Sequence, residues 1–205
     1  MLGPERPLLL GALAVVTEHI GLATTSNVFQ SHPFQFARQL STLDHISNGR
    51  IAWNIVTGTQ DNGSRNFGLP RLTDHAERYA WAEEYVDVAY KLWEGSWDEG
   101  AVLKDRQGSR YSDPAKVHKI HHEGRRYSVE GPHLPSPSPQ RTPLLYQAGS
   151  SASGRDFAAR NADWPGMPLL REQAEARLTD ATPALQVLAW FSEAEPLTGH
   201  GARQL

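Results

Sequence analysis

IGLATTSNVFQSHPFQFARQLSTLDHISNGRIAWNIVTG, residues 20–58, decides the fold class. Ile20 to Val28 is a short apolar, β-forming run that ends in small hydroxyl residues, which reads as a buried strand. In the segment that follows, Phe36, Leu40 and Leu43 recur at helical spacing together with Phe34 and Ala37. Asn48-Gly49 then supplies the left-handed stop that ends helices. Arg50 to Gly58 is a second apolar strand. A strand, a helix and a strand in close succession, with strands that are continuously apolar, predict a parallel sheet covered on both faces.

Working outward, residues 7–19 read as a helix with Pro7 in its first turn. Residues 59–72 are rich in Asn and Gly and read as a loop. Thr73 or Asp74 is placed to cap a long helix reaching about Trp93, with Trp81, Tyr85, Val88 and Leu92 on one face. Leu144 to Ala148 is a third strand, and SGRDFAARNA, residues 153–162, is the helix after it. Between the second and third units, residues 94–143 hold two Gly-bounded pieces, AVLKD and GRRYSVEG, and a Pro-rich run. They read as an insertion carrying a small hairpin. About three βα units therefore belong to an α/β fold, either an open doubly wound sheet or a closed eight-fold barrel. In both, function sits at the carboxyl ends of the strands. Those ends are Thr24 to Asn27, Val56 to Gly58, and Ala148 to Ser151.

Composition removes several function classes. Hydrophobic residues make up 39% of the 205, enough for a core. The net charge of −3 and the lack of any Lys/Arg run give nucleic acid no electrostatic footprint. The absence of cysteine removes disulfides, zinc thiolates and a thiol nucleophile. No apolar run reaches the ~18 residues of a membrane span. The start, MLGPERPLLLGALAVV, has an apolar stretch, but Glu5 and two prolines precede it and no small-residue cleavage site follows. A cytoplasmic location is expected.

Among the residues at the strand ends, Gly149, Ser150 and Ser151 follow a strand and precede a helix. There, small residues, hydroxyls and helix N–H groups can approach an anion. Read alone, the same cluster is an ordinary turn. His75 and Tyr79 stand four apart and share a helix face, which suits either a ligand ring or simple capping and packing. Arg78 between them can pair with phosphate, or with Glu77 or Glu83. His118, His121 and His122 lack cysteine and carboxylate companions in register, so no metal site is expected. Strand residues Thr25, Asn54 and Thr57 complete the candidates, whereas Thr24 reads as a β-former.

These segments, together with NFGL at 66–69 and DHAERYAWAEEYVDVAYKLWEGSWDEGAVLKD at 74–105, resemble the flavin-dependent monooxygenases of the bacterial-luciferase superfamily. The branch is that of nitrilotriacetate monooxygenase component A, which also holds long-chain alkane and dibenzothiophene-sulfone monooxygenases. The resemblance runs from about Pro7 to Ala162. It implies a (β/α)8 TIM barrel, two of whose strand–helix units precede the position of Met1. Such a barrel needs about 250 residues. Residues 1–163 are thus expected to be its middle, and 164–205 an unrelated tail of the kind that a shifted reading frame or a chimeric gene produces.

The resemblance further implies reduced FMN supplied by a separate NAD(P)H:flavin reductase, with O2 and a small organic substrate. It places the FMN phosphate at Gly149, Ser150 and Ser151, and His75 and Tyr79 near the flavin, with His75 in the catalytic role. Thr25, Asn54 and Thr57 become flavin-side residues. A homo-oligomer is compatible with it. The alternative expectation is a truncated, non-catalytic remnant that keeps at most weak FMN or phosphate binding.

Overall fold

The computed structural model describes residues 6–58, 61–148 and 151–161. The tail after residue 161, and Gly149 and Ser150 among the candidate residues, lie outside the described residues. Three parallel strands form the central sheet in the order β1 (Leu22–Asn27), β2 (Ile51–Val56), β7 (Leu144–Gln147). Helix α1 (Arg6–Val16) precedes β1. Helix α2 (Pro33–Ser47) joins β1 to β2, α4 (His75–Gly95) follows β2, and α5 (Ala152–Arg160) follows β7. This is a partial (β/α)8 barrel of three strand–helix units, with no closed barrel among the described residues.

Helix α2 forms where its signals lie. Pro33 occupies the first turn, and the His32 side chain accepts from the Phe34 amide. Asn48 closes the helix in the left-handed region, φ 54°, and Gly49 follows at φ 82°. The apolar side of α2 carries Phe36, Ala37, Leu40 and Leu43. With Trp53 of β2 and Tyr85, Val88, Ala89 and Leu92 of α4, it makes one core on one face of the sheet. Phe36, Trp53 and Tyr85 meet in tilted and edge-on ring contacts, with centroids 4.8–6.1 Å apart, a favoured aromatic geometry.

Arg50, at the entry to β2, ties the helix ends together. Its Nε donates to the Ser47 carbonyl, Nη1 to Thr17 Oγ1 and the Ile20 carbonyl, and Nη2 to the carbonyls of Ala14 and Thr17. All five guanidinium hydrogens are used, and three of them satisfy carbonyls at the C-terminal ends of α1 and α2, those of Ala14, Thr17 and Ser47.

Four expectations are corrected. Among the described residues the sheet is not covered on both faces: in β1 Ala23 is exposed between buried Leu22 and Thr24, and in β7 Tyr146 is half exposed. The helix layer lies on one side, and the other carries the more exposed side chains among the described residues. Residues 59–72 are not all loop, since α3 (Asp61–Asn66) forms there; Asp61 Oδ1 accepts from the Leu72 amide at 2.8 Å and closes the segment on itself. The insertion holds two ladders rather than one hairpin, β3 (Val102–Asp105) with β4 (Arg110–Ser112), and β5 (His122–Glu123) with β6 (Ser128–Val129). Asp74 is the N-cap residue of α4, but its side chain makes no capping bond.

The second ladder is clasped to α4 by Glu84. Its carboxylate accepts from the backbone amides of Arg126 and Tyr127 at 2.8–3.1 Å and lies 3.5 Å from His122 Nε2. Burial alone would raise the Glu84 carboxyl; those amides and the imidazole outweigh it and hold the group below its ordinary value. A Cβ on Gly124 would run into the Glu84 carboxylate and the His122 imidazole, so glycine leaves room for the clasp. The Pro-rich segment is held at Asp44, which accepts from the Gln140 amide at 2.9 Å and from its side chain at 2.6 Å. No helix among the described residues is long and apolar enough to cross a membrane.

Two stability predictions follow from buried polar groups. Thr24 is fully buried, and its hydroxyl has no hydrogen-bond partner among the described residues. Because an unsatisfied buried hydroxyl costs about 1–3 kcal/mol, Thr24→Val is expected to raise unfolding stability by about 1 kcal/mol, read from the urea midpoint. His133 is 2% exposed, with Nε2 2.9 Å from Ser41 Oγ and Nδ1 without a partner among the described residues. Burial, and then the positive charges of Arg38 and His45, push its pKa down to about 4 from 6.5. The unfolded chain therefore binds the proton first, and stability is lost as pH falls from about 6.5 towards 4. Between pH 7 and pH 5 this one group is expected to remove about 2 kcal/mol. In His133→Gln the pH 7 to pH 5 difference should shrink by that amount; an unchanged difference would show that other groups carry it.

Candidate active site

Parallel pairing sorts the strand residues by face. Leu22 lies opposite Ile51, Thr24 opposite Trp53, and Ser26 opposite Ile55, and these side chains face the helices. Thr25 therefore falls on the open face, opposite Asn54, and Asn54 lies opposite Tyr146. The Asn54 amide donates to Thr25 Oγ1 at 3.2 Å. That bond uses one amide hydrogen; the Asn54 carbonyl oxygen and its second amide hydrogen have no partner among the described residues.

Thr57 continues β2, and the chain then turns at Gly58, φ 85°. A Cβ on Gly58 would meet Asn27 Nδ2 at 2.8 Å and the Phe29 ring at 2.9 Å, so the turn requires glycine twice over. Phe29, which covers this turn, contacts Phe67 and Trp81 with centroids 6.3 and 5.8 Å apart. The insertion reaches the same strand end. Trp81 Nε1 donates to the Tyr127 hydroxyl at 2.6 Å, and that hydroxyl donates to the Val28 carbonyl at 3.3 Å. The Arg126 guanidinium sits 4.2 Å above the Trp81 ring, within cation–π range.

The remaining candidates gather where β7, α4 and α5 meet. His75, the first residue of α4, is exposed, with its ring 5.0 Å from that of Tyr79. Its Nε2 is 3.3 Å from Ser151 Oγ. Ser151 is the N-cap of α5 and accepts from the Gly154 amide at 3.1 Å. Tyr79 is 8% exposed and packs on Phe157, and its hydroxyl accepts from Gln147 Nε2 at 3.3 Å. The structure thus groups Thr25 with Asn54, and His75 with Tyr79 and Ser151. Sequence reasoning missed Gln147, although a polar residue closing the apolar run Leu144 to Tyr146 just before Ala148-Gly149 was its signal. It also missed the Trp81–Tyr127 link, which joins positions far apart in the chain and leaves no local pattern. His118 pairs with Asp98 at 2.8 Å, and His122 lies between Glu84 and Asp87. Among the described residues no group of three or more His, Cys, Asp or Glu is arranged to hold a metal ion.

Comparison with known proteins gives this arrangement its relatives. The profile of the family described as luciferase-like monooxygenase matches residues 2–181, continuing past Ala162. Long-chain alkane monooxygenase of Geobacillus thermodenitrificans (strain NG80-2) is 51% identical over 156 residues, 76% of this chain and 36% of that protein. Nitrilotriacetate monooxygenase component A of Aminobacter aminovorans is 46% identical over 156 residues, 76% of this chain and 34% of that protein. A riboflavin lyase solved with modified FMN and riboflavin superposes with a TM-score of 0.73 at 44% identity, covering 77% of this chain and 35% of the other. The chain spans about a third of the length of the relatives it matches. With the profile covering most of its residues, and with the parallel strands, strand-end residues and insertion in place, the chain belongs to the luciferase-like monooxygenase family.

Proposed function

We propose that this chain is the flavin-holding segment of a two-component, FMN-dependent monooxygenase of the cytoplasm. A separate NAD(P)H:flavin reductase would supply reduced FMN, and a small organic substrate would receive one oxygen atom from O2. The observation that carries the reading is the Thr25–Asn54 pair on the uncovered face of the parallel sheet. Uncommitted amide and hydroxyl groups at strand ends are where ligands of such sheets bind. A flavin ring presents carbonyl and ring-nitrogen acceptors and an N–H donor along one edge, and Asn54 offers both a donor and an acceptor to it. Thr57 lies just beyond on the same strand. Ser151, with Gly149 and Ser150 before it, supplies the small, hydroxyl-rich approach to a helix N-terminus that suits the phosphate.

Bound there, FMN would supply the electrons and the site at which O2 is activated. The tasks of this chain's own residues are then plain. Thr25 and Asn54 orient the ring edge, and Gly149 to Ser151 anchor the phosphate end. His75, fixed between Tyr79 and Ser151, is the exposed side chain able to hold or move a proton. Phe29, Trp81 and Tyr127 close the β1 end against water, which an oxygenase must exclude from its reacting centre. The competing remnant reading predicts binding without turnover.

In the test, FMN is titrated into the full chain with flavin fluorescence as the readout. Saturable binding is expected. Asn54→Leu should weaken it about tenfold, equivalent to ~1.4 kcal/mol, with the unfolding midpoint unchanged, because the pair lies outside the helix-side core. Equal FMN affinity in both proteins would remove Asn54 from the site. Oxygen uptake with a flavin reductase, reduced in His75→Ala, separates an oxygenase from a binding remnant.

A further inference from the structure

Two Asn-Gly pairs occur in the sequence, Asn48-Gly49 and Asn62-Gly63. Glycine after asparagine leaves its nitrogen free to approach the asparagine side-chain amide, because no Cβ stands beside the attacking atom. Both asparagines are exposed, so access to water does not separate the pairs. What separates them is the N–H of the following glycine. The Gly49 amide donates to the Asp44 carbonyl at 3.0 Å, and Asn48 is the left-handed C-cap of α2, its own amide turned to Asp44 and His45. To react, Gly49 must give up that hydrogen bond and α2 must loosen its last turn. Gly63 lies instead in the first turn of α3, where amides have no carbonyl partner within the helix. Among the described residues its N–H meets the Asn62 side chain alone, whose Oδ1 accepts at 2.8 Å. The nitrogen that would attack is thus already folded against the amide it attacks. Helix α3 has six residues, one of them this glycine, so little intrinsic helix stability holds the segment.

We propose that Asn62 is a site of spontaneous deamidation, with the Gly63 nitrogen as nucleophile and water as co-reactant. The Gly63 nitrogen gives up its proton and bonds to Asn62 Cγ. The bond from Cγ to the side-chain nitrogen breaks, and ammonia leaves with that proton. A water molecule then opens the five-membered imide. Opening at one carbonyl leaves aspartate; opening at the other leaves isoaspartate, in which the main chain runs through the former side chain. Nothing is oxidised or reduced: an amide and water become a carboxylate and ammonium. Either product adds a negative charge beside Asp61. Isoaspartate also lengthens the main chain inside α3, between Asp61, whose carboxylate accepts from the Leu72 amide, and Phe67, which packs on Phe29. The change falls on the segment beside the β1 end and is independent of the flavin reading.

In the experiment the full chain is aged in mildly alkaline buffer, folded and, in parallel, unfolded in guanidinium chloride. Peptide mass spectrometry follows the exchange of the side-chain NH2 for OH at each asparagine, and enzymatic methylation of isoaspartate measures the rearranged product. The unfolded chain supplies the intrinsic rate of each Asn-Gly pair. On folding, Asn48 is expected to slow by about tenfold or more, because the Gly49 hydrogen bond must open first. Asn62 is expected to keep most of its unfolded rate and to yield isoaspartate. A Cβ on Gly63 would meet nothing within 4 Å, so Gly63→Ala leaves the fold in place. By crowding the attacking nitrogen, it should slow Asn62 about tenfold in both states and leave Asn48 alone. An Asn62 that stays amidated in the folded chain, or that slows on folding as much as Asn48 does, would overturn the proposal. Loss of the Asn62 amide at the wild-type rate in Gly63→Ala would overturn it too, since the Gly63 nitrogen would then not be the nucleophile.

Discussion

The register between β1 and β2 is the constraint on which the rest depends. With Leu22 opposite Ile51 and Thr24 opposite Trp53, the apolar set meets α2 and α4 while Thr25 and Asn54 meet each other on the far side. A slip of β2 by one residue against β1 would turn Trp53 to the far side and Asn54 into the core, away from Thr25. The hydrophobic contacts that stabilise the sheet and the Thr25–Asn54 pair are therefore two consequences of one alignment. Arg50 guards that alignment from its end. It stands immediately before β2 and binds the carbonyls that close α1 and α2, so β2 enters the sheet at a fixed height beside β1.

The insertion supports the same strand ends. Glu84 reads the backbone of the β5–β6 turn rather than its side chains, which explains how Arg126 and Tyr127 are set with little help from the short ladder itself. Tyr127 then spans from Trp81 to the Val28 carbonyl. A rigid helix thus positions a loop, and the loop secures the strand end, in keeping with sites built from loops on a fixed scaffold.

What the sequence made legible follows from how local each cause is. The α2 stop at Asn48-Gly49 was readable because a left-handed residue pair is a local demand. The long α4 was readable because its core face repeats at helical spacing. Helix α3 was hidden: DNGSRN, residues 61–66, has no apolar period and contains glycine, and the contacts that hold it run from Asp61 to Leu72 and through buried Ser64. The open sheet face was hidden too, because an apolar run looks the same whether or not both its sides are covered. The role of Glu84 was hidden as well, since nothing near it in sequence announces the amides of Arg126 and Tyr127.

The α4–α5 corner shows why a residue type at the right spacing underdetermines its role. Tyr79 was a candidate because a phenol one turn from His75 faces the same way, and it does. Yet its ring is buried against Phe157 and its hydroxyl already accepts from Gln147. Ser151 likewise has its oxygen engaged by the Gly154 amide as the α5 cap. Accepting those bonds fixes where each hydroxyl sits and leaves its own O–H to donate. Asn54 on the sheet keeps more, since its carbonyl oxygen and one amide hydrogen have no partner among the described residues, so capacity follows from which atoms the fold already uses and not from spacing along the chain.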